Sequence, residues 1–324
     1  MDLVKINRKF NSEAKCLAYL EKLRWGKTIT CTHCGSSSTK RLKSEAKRHH
    51  CNSCKKHFSV FNDTIFEHTR LPLTKWFNLI GLMLNAKQGI ASANLCRNIG
   101  GSYKTAWYAA MRVRCAMVDD CSTLQNIVEM DEGFVGGKPR KGNRKPPENV
   151  AYLSNVTNKR GRGTNKTPIV GIVERQGKIA LKVIDKLNSR NLVAMLKQNV
   201  KLDNAIVITD ASPNYKTFDK LVEHLSINHK KEGFVKKGAV HTNTIDGFFA
   251  IIKNSIRGQY IVLSRKYLPF YLVQASYIYN RRNETHSLFE EYLRRALGDE
   301  KCLLYYKPKK TVKSIVYPKK RKTC

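Results

Sequence analysis

Residues 205–210 read AIVITD, a run of strand-forming residues that ends in an acid. Both faces of this short strand are apolar, which is typical of a strand buried inside an α/β sheet. Asp210 would then emerge at the carboxyl end of the strand, where sheets of this kind place their ligands. An uncompensated carboxylate at that position would be energetically unfavourable, so a ligand is expected to neutralise it. The stretch therefore predicts both an α/β fold and a candidate site at Asp210.

The segments on either side of this strand predict the rest of an α/β domain. Extended patterns predict strands over residues 126–135, 167–174 and 178–185, the last two joined by a turn at 175–177. Helical spacing predicts helices over 189–200, 215–223, about 244–257 and about 268–282. Since a run of strands precedes the alternating helices, we expect an α/β domain with a mixed sheet.

Two further aspartates stand out on a chain that has 25 acidic residues against 60 basic ones. Asp131 lies in the strand sequence IVEMDEGFVGG, and Asp246 lies in the helix sequence HTNTIDGFF. Three carboxylates that converge from two strands and a helix would repel one another unless divalent ions neutralise them. Oxygen ligands suit Mg²⁺, and two ions roughly 3.5 to 4 Å apart can hold a phosphoryl group during in-line displacement. Glu129 shares the Asp131 face and Glu132 is adjacent, so the strand alone leaves the choice of acid open.

The helix that carries Asp246 is predicted to be amphipathic. Its apolar stripe comprises Ile245, Phe249, Ile252 and Ile256. Another face aligns Asp246 with Ala250, Lys253 and Arg257 at helical spacing. We therefore expect the acid to be presented beside two cations that can hold phosphates.

Four of the ten cysteines form two CxxC pairs near the N-terminus, with sixteen residues between the pairs. Two pairs at this spacing can close one tetrahedral Zn²⁺ site, as in a zinc ribbon. The predicted ligands are Cys31, Cys34, Cys51 and Cys54. The alternative interpretation is a redox dithiol. Since four sulfurs fill the coordination shell, the nearby histidines are expected to face solvent or DNA; they are His33, His49, His50 and His57.

The region after the cysteines predicts a helical DNA-binding segment. Apolar spacing predicts helices over residues 73–87, 90–99 and 103–117. Gly100-Gly101 makes a turn before the third helix, and Ser102 is a suitable N-cap. A glycine turn between two helices, with Lys104, Arg112 and Arg114 on the second, indicates a helix-turn-helix. An ordinary three-helix bundle would show the same turns.

The chain carries a formal charge of +35, and this excess of cations predicts a polyanionic partner. Nucleic acid is the first candidate, because phosphates neutralised by Lys or Arg release condensed counterions. The basic loop KPRKGNRK adds Lys138, Arg140 and Lys141 as candidate phosphate contacts. The first 27 residues contain no unbroken apolar run, and the window WFNLIGLML is too short to span a bilayer. We therefore expect a cytoplasmic protein without a membrane span.

Several strings along the chain resemble one protein family. They are CTHCG, CNSCKKHFSV, FNDTIFEHTRLPLTKWF, GSYKTAW, EMDEGFVGGK, GRGTNKTPIVGIVER, VITDASPNY, HTNTIDGFFAIIKNSIRGQY and YLVQASYIYNRR. These strings are similar to those of insertion-sequence transposases with an N-terminal zinc ribbon and a DDE catalytic domain, the bacterial relatives of the eukaryotic Merlin elements. The resemblance covers most of the chain and implies a ribonuclease H-like fold.

The resemblance also implies a role for each acid. In this family the first acid lies on the first strand, the second just after the fourth strand and the third on a later helix. This order implies that Asp131, Asp210 and Asp246 are the catalytic, Mg²⁺-binding triad, and Lys253 matches the family's helix lysine that contacts DNA. The family usually has Glu at the third position, so the shorter Asp246 must reach its ion through a closer helix or a water. Some branches have Asn as the third residue, which makes Asn243 a minor candidate ligand with a helix cap as its other role.

Together these features predict a DNA transposase that cleaves and joins strands at the terminal inverted repeats of an insertion sequence. We expect one structural Zn²⁺ per chain, two catalytic Mg²⁺ or Mn²⁺ ions, double-stranded DNA as partner, and a homo-oligomer on DNA at the nucleoid. The predicted DNA contacts are Lys253, Arg257, Lys104, Arg112, Lys138, Arg140 and Lys141. The alternative is a non-catalytic zinc-ribbon DNA-binding protein, either a regulator or an inactive transposase derivative, which would not need aspartates at the ends of apolar strands.

The predicted regions follow one another along the chain, with a change from helical to extended pattern near residue 122. They are an N-terminal helical lead (1–27), a zinc ribbon (28–60), a helical, helix-turn-helix-like DNA-binding region (61–122), a DDE-type ribonuclease H-like catalytic domain (123–283) and a C-terminal helix with a basic tail (284–324).

Overall fold

A computed structural model describes residues 2–118, 123–136, 166–227, 240–284 and 288–297. The chain divides into two units, the helical unit (Met1–Asp120 with Pro269–Cys324) and the sheet unit (Cys121–Leu268). Residues 269–283, which the sequence pattern assigns to the catalytic domain, lie in the helical unit. Within the described ranges, no helix has both the length and the apolar character needed to cross a membrane.

The order of elements along the chain alternates between helical and extended regions. The helices are α1 (Leu3–Lys9), α2 (Glu13–Trp25), α3 (Leu73–Asn85), α4 (Ser92–Ile99), α5 (Tyr103–Ala116), α6 (Ser189–Asn199), α7 (Asn243–Ser255), α8 (Leu268–Asn280) and α9 (Leu288–Leu297). The strands are β1 (Thr39–Arg41), β2 (His49–Cys51), β3 (His57–Phe58), β4 (Leu124–Val135), β5 (Thr167–Glu174), β6 (Ile179–Val183), β7 (Val200–Asp210) and β8 (Glu223–Ile227).

The core of the helical unit takes side chains from both ends of the sequence. The ring of Phe77 lies 4.8 Å from that of Phe10 and 5.6 Å from that of Phe289, measured between centroids. Gly81 allows α1 to pack closely on α3, because a Cβ at this position would lie 2.6 Å from Ile6 Cδ1 and would force that side chain to shift. Each large apolar side chain buried here contributes about 1.5 to 3 kcal/mol. The last helices therefore belong to this unit because their apolar faces complete its core.

The predicted helix, turn and helix before residue 118 are present as α4, Gly100-Gly101 and α5. Gly100 and Gly101 have φ values of 69° and 95°, a backbone region that favours glycine. The Ser102 hydroxyl then accepts a hydrogen bond of 3.1 Å from the Thr105 N–H and caps α5, as predicted.

The sheet unit contains a five-stranded mixed sheet with the strand order β6-β5-β4-β7-β8. β5 is antiparallel to both β4 and β6, whereas β7 runs parallel to β4 and β8 runs parallel to β7. Counted along the unit, the strands therefore lie in the order 3-2-1-4-5, with the first three antiparallel. This is the ribonuclease H-like topology, and the predicted fold class is confirmed.

The two faces of this sheet are covered by different elements. Val128 and Met130 of β4 belong to a buried cluster that also contains Leu192, Met195, Tyr215 and Phe218, contributed by α6 and a 3₁₀ helix (Pro213–Lys220). The alternate positions of β4 face the other way, toward α7. Side chains at odd-numbered positions of this part of β4, including Asp131, therefore share a face with α7.

Two elements of the sheet unit differ from their predicted form. Residues 215–223, predicted as a helix, form the end of the 3₁₀ helix and the start of β8, which pairs with β7. A five-residue edge strand carries little pattern of its own, so its pairing partner decides its conformation. The helix predicted over 244–257 ends at Ser255, and a π-helical turn (Ile256–Tyr260) follows. Gly258 in that turn is a poor helix former.

Candidate active site and zinc centre

Asp131 and Asp210 lie on neighbouring parallel strands. The register of β4 and β7 pairs Glu129 with Ile208. Two residues further along each strand, the same register sets Asp131 beside Asp210 on the face that Glu129 shares. Asp210 is the last residue of β7, as the sequence AIVITD predicts.

Asp246 lies in the first turn of α7, which packs on β4 and β5. Ile245 and Phe249 are buried while Asp246 is exposed, in agreement with the predicted apolar stripe. The helix approaches closely because two strand positions are glycine. A Cβ at Gly171 would lie 2.7 Å from Ile245 Cδ1, and one at Gly133 would lie 3.1 Å from the Phe249 ring. A close helix is one of the two routes by which the shorter third acid could reach an ion.

Asp210 and Asp246 are near enough to Asp131 to influence the ionisation of its carboxyl. The pKa of Asp131 rises from 3.8 to about 7, first because the carboxyl is buried and then because the like charges of Glu132, Asp246 and Asp210 lie near it. A hydrogen bond from the backbone N–H of Glu132 acts in the opposite direction. The sheet unit thus brings the predicted triad together and concentrates negative charge around a half-buried carboxyl.

This set of donors fits divalent cations in its chemistry. Carboxylate oxygens are the ligands that Mg²⁺ prefers, and a cation would offset the repulsion between the acids. Among the described residues, the aspartates do not form a group whose oxygens could all reach one ion, whereas the four cysteines do form such a group. The three acids could hold divalent ions without all binding the same one, because two ions could share them.

Glu129 shares a strand face with Asp131, which suggests a metal ligand, but its carboxylate forms hydrogen bonds within the protein instead. Its carboxylate is fully buried and accepts hydrogen bonds from the N–H groups of Thr244 and Ile245, the Thr244 hydroxyl and Arg175 Nε. The acid therefore caps the N-terminus of α7 from the neighbouring strand. No local pattern predicts this role, because the partners lie 46 to 116 positions away in sequence.

Glu132 is held on the opposite face of β4 by a buried tyrosine. The Tyr215 hydroxyl donates a hydrogen bond of 2.6 Å to Glu132 Oε2. Burial, followed by the charge of Glu132, raises the pKa of Tyr215 well above its ordinary value, so the hydroxyl remains a donor. With Glu129 and Glu132 engaged in this way, Asp131 is the acid of this strand that faces Asp210 and Asp246.

The predicted zinc ligands come together in the helical unit. The sulfurs of Cys31, Cys34, Cys51 and Cys54 all lie within 4.8 Å of one another. The Sγ atoms of Cys31 and Cys54 are 3.7 Å apart, and those of Cys34 and Cys51 are 3.6 Å apart. A tetrahedral ion with Zn–S bonds of about 2.3 Å requires sulfurs about 3.8 Å apart. The cluster, set beside the antiparallel strands β1 to β3, therefore fits a zinc ribbon.

One histidine near the zinc ligands does not face solvent or DNA. His49 is fully buried, its ring stacks on Phe58 at 5.4 Å, and its Nε2 lies 3.1 Å from Glu21 Oε1 on α2. The prediction was therefore wrong for His49, which joins the ribbon to α2. His33 and His57 are exposed, and His50 is half-buried.

Two of the predicted DNA contacts lie on α7 and directly after it. Lys253 is exposed on the same face of α7 as Asp246, and Arg257 is exposed in the π-helical turn that follows. In the helical unit, Lys104 is exposed in the first turn of α5. The remaining loop residues of the prediction lie outside the described residues: Lys138, Arg140 and Lys141.

Two other arginines of α5 make contacts within the helical unit. Arg112 Nη2 donates a hydrogen bond of 2.5 Å to the Glu67 carbonyl oxygen. Arg114 is fully buried, donates through Nε to Gln274 Oε1 at 2.8 Å, and lies 4.1 Å from the Tyr271 ring centroid. The sequence pattern predicts Arg114 on a basic face of the helix-turn-helix, and this prediction is wrong. Arg114 instead connects α5 to α8.

Comparisons with known proteins agree with this architecture. The model of the ISXO2-like transposase domain matches residues 123–280, and that of the transposase zinc-ribbon domain matches residues 11–57. A relative from Halobacterium salinarum, named "Uncharacterized protein in transposable element ISH50", is 25% identical over 253 residues, which cover 75% of this chain and 83% of the relative.

Solved structures of Mos1 transposase also match at low identity. A pre-cleavage Mos1 transpososome is 14% identical, with 67% of this chain and 76% of that chain covered and a TM-score of 0.25. A Mos1 paired-end complex with the left transposon end is 15% identical, with 69% and 79% covered and a TM-score of 0.27. Because these scores are low, the fold assignment rests on the sheet topology alone.

A four-cysteine ribbon followed by a ribonuclease H-like sheet with clustered aspartates defines the class of zinc-ribbon transposases. The two family models match in the order in which these parts lie along the chain. The chain belongs to the insertion-sequence transposases that have a zinc ribbon and an ISXO2-like transposase domain, and it is a DNA transposase.

Proposed function

We propose that the sheet unit carries out metal-dependent cleavage and strand transfer at the terminal inverted repeats of an insertion sequence. The observation that supports this proposal is the placement of Asp131, Asp210 and Asp246. They lie on the first strand of the sheet, on its parallel neighbour and on the helix that packs on the first strand. This is the placement that the family resemblance implies for a catalytic triad.

In this proposal Asp131 would help to hold both of two divalent ions, and Asp210 and Asp246 would each help to hold one of them. Mg²⁺ or Mn²⁺ held there would stabilise the negative charge that develops on the phosphoryl oxygens. Water attacks the phosphorus at the transposon end, the bond to the 3′ oxygen breaks, and a 3′ hydroxyl is released. That hydroxyl then attacks a phosphodiester of the target DNA: its oxygen bonds to the phosphorus, the target's own bond from phosphorus to the 3′ oxygen breaks, and a target 3′ hydroxyl leaves. No covalent intermediate with the protein is required.

Double-stranded DNA is the proposed partner, and the charge of +35 supports this choice. Lys253, exposed on the face of α7 that carries Asp246, and Arg257, exposed in the turn after α7, would hold phosphates near the reacting bond. Lys104 would contact DNA from the start of α5. The cysteine cluster would hold one Zn²⁺, and the two ends of an element favour a homo-oligomer on DNA.

The proposal is tested by cleavage of DNA that bears the cognate ends, in Mg²⁺ or Mn²⁺. Asp131→Asn, Asp210→Asn and Asp246→Asn should each lower cleavage by about a hundredfold or more, since each removes a metal ligand. DNA binding should persist, because the basic contacts are untouched. Asp246→Glu should retain cleavage, and Asp203→Asn, which removes an exposed acid of β7, serves as the control.

Two outcomes would contradict the proposal. Cleavage that survives in Asp246→Asn but is lost in Asn243→Ala would move the third ligand. If neither the parent chain nor Asp246→Glu cuts cognate ends in Mn²⁺, a non-catalytic DNA-binding role becomes the better interpretation.

A further inference from the structure

We propose that Glu129 is a positioning residue for the metal site, because it holds the first turn of α7, and with it Asp246, against β4. The inference rests on the proposed function, since it takes Asp246 to be a metal ligand. It assigns to Glu129 a role in metal affinity, although the residue itself would not touch the metal.

The first step of the argument is the cap of α7. The first N–H groups of a helix have no partner within the helix and need an acceptor from elsewhere. The residue at the N-cap position, Thr242, makes no side-chain cap hydrogen bond. Instead, Glu129 Oε2 accepts hydrogen bonds of 2.8 Å from the Thr244 N–H and 3.0 Å from the Ile245 N–H. An anion at this end of a helix is also favoured by the helix dipole.

This arrangement leaves the Thr242 hydroxyl available for a second task. Its Oγ1 donates a hydrogen bond of 3.1 Å to Asp246 Oδ2. A threonine that capped its own helix would direct the side-chain oxygen toward the backbone N–H groups instead. Because Glu129 serves as the cap, Thr242 can orient the carboxylate of Asp246.

The second step concerns the charge of Glu129, which is fully buried. Arg175, directly after β5, donates through Nε to Glu129 Oε1 at 2.7 Å. Its Nη2 lies 2.9 Å from the His241 carbonyl oxygen and 3.0 Å from His241 Nδ1. Since Nδ1 accepts from arginine, it cannot donate to Glu129, and Arg175 is the cation that balances the acid. The guanidinium of Arg175 thus contacts both Glu129, which caps α7, and His241, which precedes Thr242.

The third step excludes Glu129 itself as a metal ligand. Oε1 accepts from Arg175 Nε and from the Thr244 hydroxyl, at 2.7 and 3.0 Å, and Oε2 accepts from two backbone N–H groups. Each carboxylate oxygen has two lone pairs, so these four bonds fill its capacity. Asp131, on the same face two residues later, is the acid that faces Asp210 and Asp246.

Glu129→Gln should displace the first turn of α7. The amide has one oxygen, and its NH₂ group must face donors, either Arg175 or the N–H groups of Thr244 and Ile245. Removing a residue that orients a metal ligand typically weakens metal binding by about 10- to 100-fold. We expect a loss of this size in the Mn²⁺ affinity of Glu129→Gln, with DNA affinity in the absence of Mn²⁺ unchanged.

The experiment uses the full zinc-loaded chain in buffer without chelator. Mn²⁺ binding is measured without DNA by electron paramagnetic resonance, and cleavage of cognate ends is measured as a function of Mn²⁺ concentration. Hydrogen exchange reports the N–H groups of Thr244 and Ile245, which should exchange faster in Glu129→Gln. Excess Mn²⁺ should restore most of the cleavage rate, a split between metal affinity and turnover that a general folding defect would not produce.

Two further variants make the result specific. Glu174→Gln is the matched control, because Glu174 lies on β5 and accepts a hydrogen bond of 3.0 Å from the Asn126 amide; its Mn²⁺ affinity should equal that of the parent. Thr244→Val removes only the hydroxyl donor and keeps the buried charge and both backbone N–H groups. Its Mn²⁺ affinity should fall roughly fivefold. If Glu129→Gln does not fold, the Mn²⁺ affinity of Thr244→Val alone tests the positioning role.

The outcomes separate this inference from the proposed function. Unchanged Mn²⁺ affinity in Glu129→Gln and Thr244→Val, with the parent binding Mn²⁺ and cleaving, would overturn the positioning role alone. A parent chain that neither binds Mn²⁺ nor cleaves would overturn the proposed function and this inference with it. Weaker binding in both variants, but not in Glu174→Gln, is the expected result.

Discussion

Replacing Asp131 by Asn should stabilise the sheet unit in the absence of divalent ions, although it should abolish cleavage. Burial, together with the like charges of Glu132, Asp246 and Asp210, raises the pKa of Asp131 from 3.8 to about 7. The ionised carboxylate therefore opposes folding at neutral pH. Asn has nearly the same shape and no charge, so it removes this opposition.

The size of the effect follows from the pKa. A change from 3.8 in the unfolded chain to about 7 in the folded one corresponds to about 4 kcal/mol at alkaline pH. Asn can still accept from the Glu132 N–H, whose effect the pKa already includes, but its amide fits the site less well than a protonated Asp, at a cost of about 1 kcal/mol. The free energy of unfolding of Asp131→Asn should therefore exceed that of the parent by about 3 kcal/mol near pH 8.

The pH dependence has a defined sign. The folded chain keeps a proton on Asp131 at pH values where the unfolded chain has lost it. The resulting stability is fully present below about pH 3.8 and is lost as the pH rises through about 7. Roughly 2.5 kcal/mol of it disappears between about pH 5 and about pH 8. Asp131→Asn should lack this slope, and Mg²⁺ should stabilise the parent but not the variant.

The assay must follow the sheet unit separately from the helical unit. All three tryptophans, Trp25, Trp76 and Trp107, lie in the helical unit, so their fluorescence reports that unit alone. Pulsed hydrogen exchange of β4 during urea denaturation reports the sheet unit. The buffer should contain neither divalent ions nor chelator, because a chelator would remove zinc from the ribbon.

A matched variant on β7 provides the control for Asp131→Asn. Asp203→Asn removes an exposed acid of β7 and should change the free energy of unfolding by no more than about 0.5 kcal/mol. An Asp131→Asn variant no more stable than the parent near pH 8, with the same pH slope, would refute the reasoning. It would mean that burial and the nearby like charges do not oppose ionisation of Asp131 in the folded chain.

Three further predictions concern other parts of the chain. Cys34→Ser should release the single Zn²⁺ and unfold the ribbon, because folding energy there comes from the metal, whereas Cys96→Ser should keep it; elemental analysis measures both. Gly171→Ala should destabilise the sheet unit by about 1 to 3 kcal/mol in urea, since the new Cβ would lie 2.7 Å from Ile245 Cδ1. Deleting the basic segment 307–324 should weaken DNA binding alike across sequences and flatten its salt dependence. A salt slope equal to that of the parent would show that this segment makes no phosphate contacts.

Local patterns predicted those features that depend on local periodicity. β5 spans the residues that its apolar run predicts, and the exposed and buried faces of α7 follow from helical spacing. The cysteine cluster also follows from spacing, since two CxxC turns at ribbon distance supply four sulfurs to one ion. These features need few contacts from distant parts of the chain.

The features that sequence patterns missed depend on contacts between distant residues. The buried position of Arg114 requires Gln274, 160 residues later, and that of His49 requires Glu21 on α2. A charged residue on a predicted helix or hairpin is usually exposed, so its local pattern favours solvent or DNA. The strand β8 likewise depends on pairing with β7 rather than on its own five residues.

Glu129 and Asp131 show how environment separates two carboxylates that sequence treats alike. They lie two residues apart on the same strand face, and both are acids within IVEMDEGFVGG. Glu129 is surrounded by donors and by the cation Arg175, so the protein itself stabilises its charge. Asp131 is buried and lies near other acids, so bound cations would be needed to stabilise its charge. The first environment suits an acid that holds a helix in place, and the second suits an acid that binds metal ions.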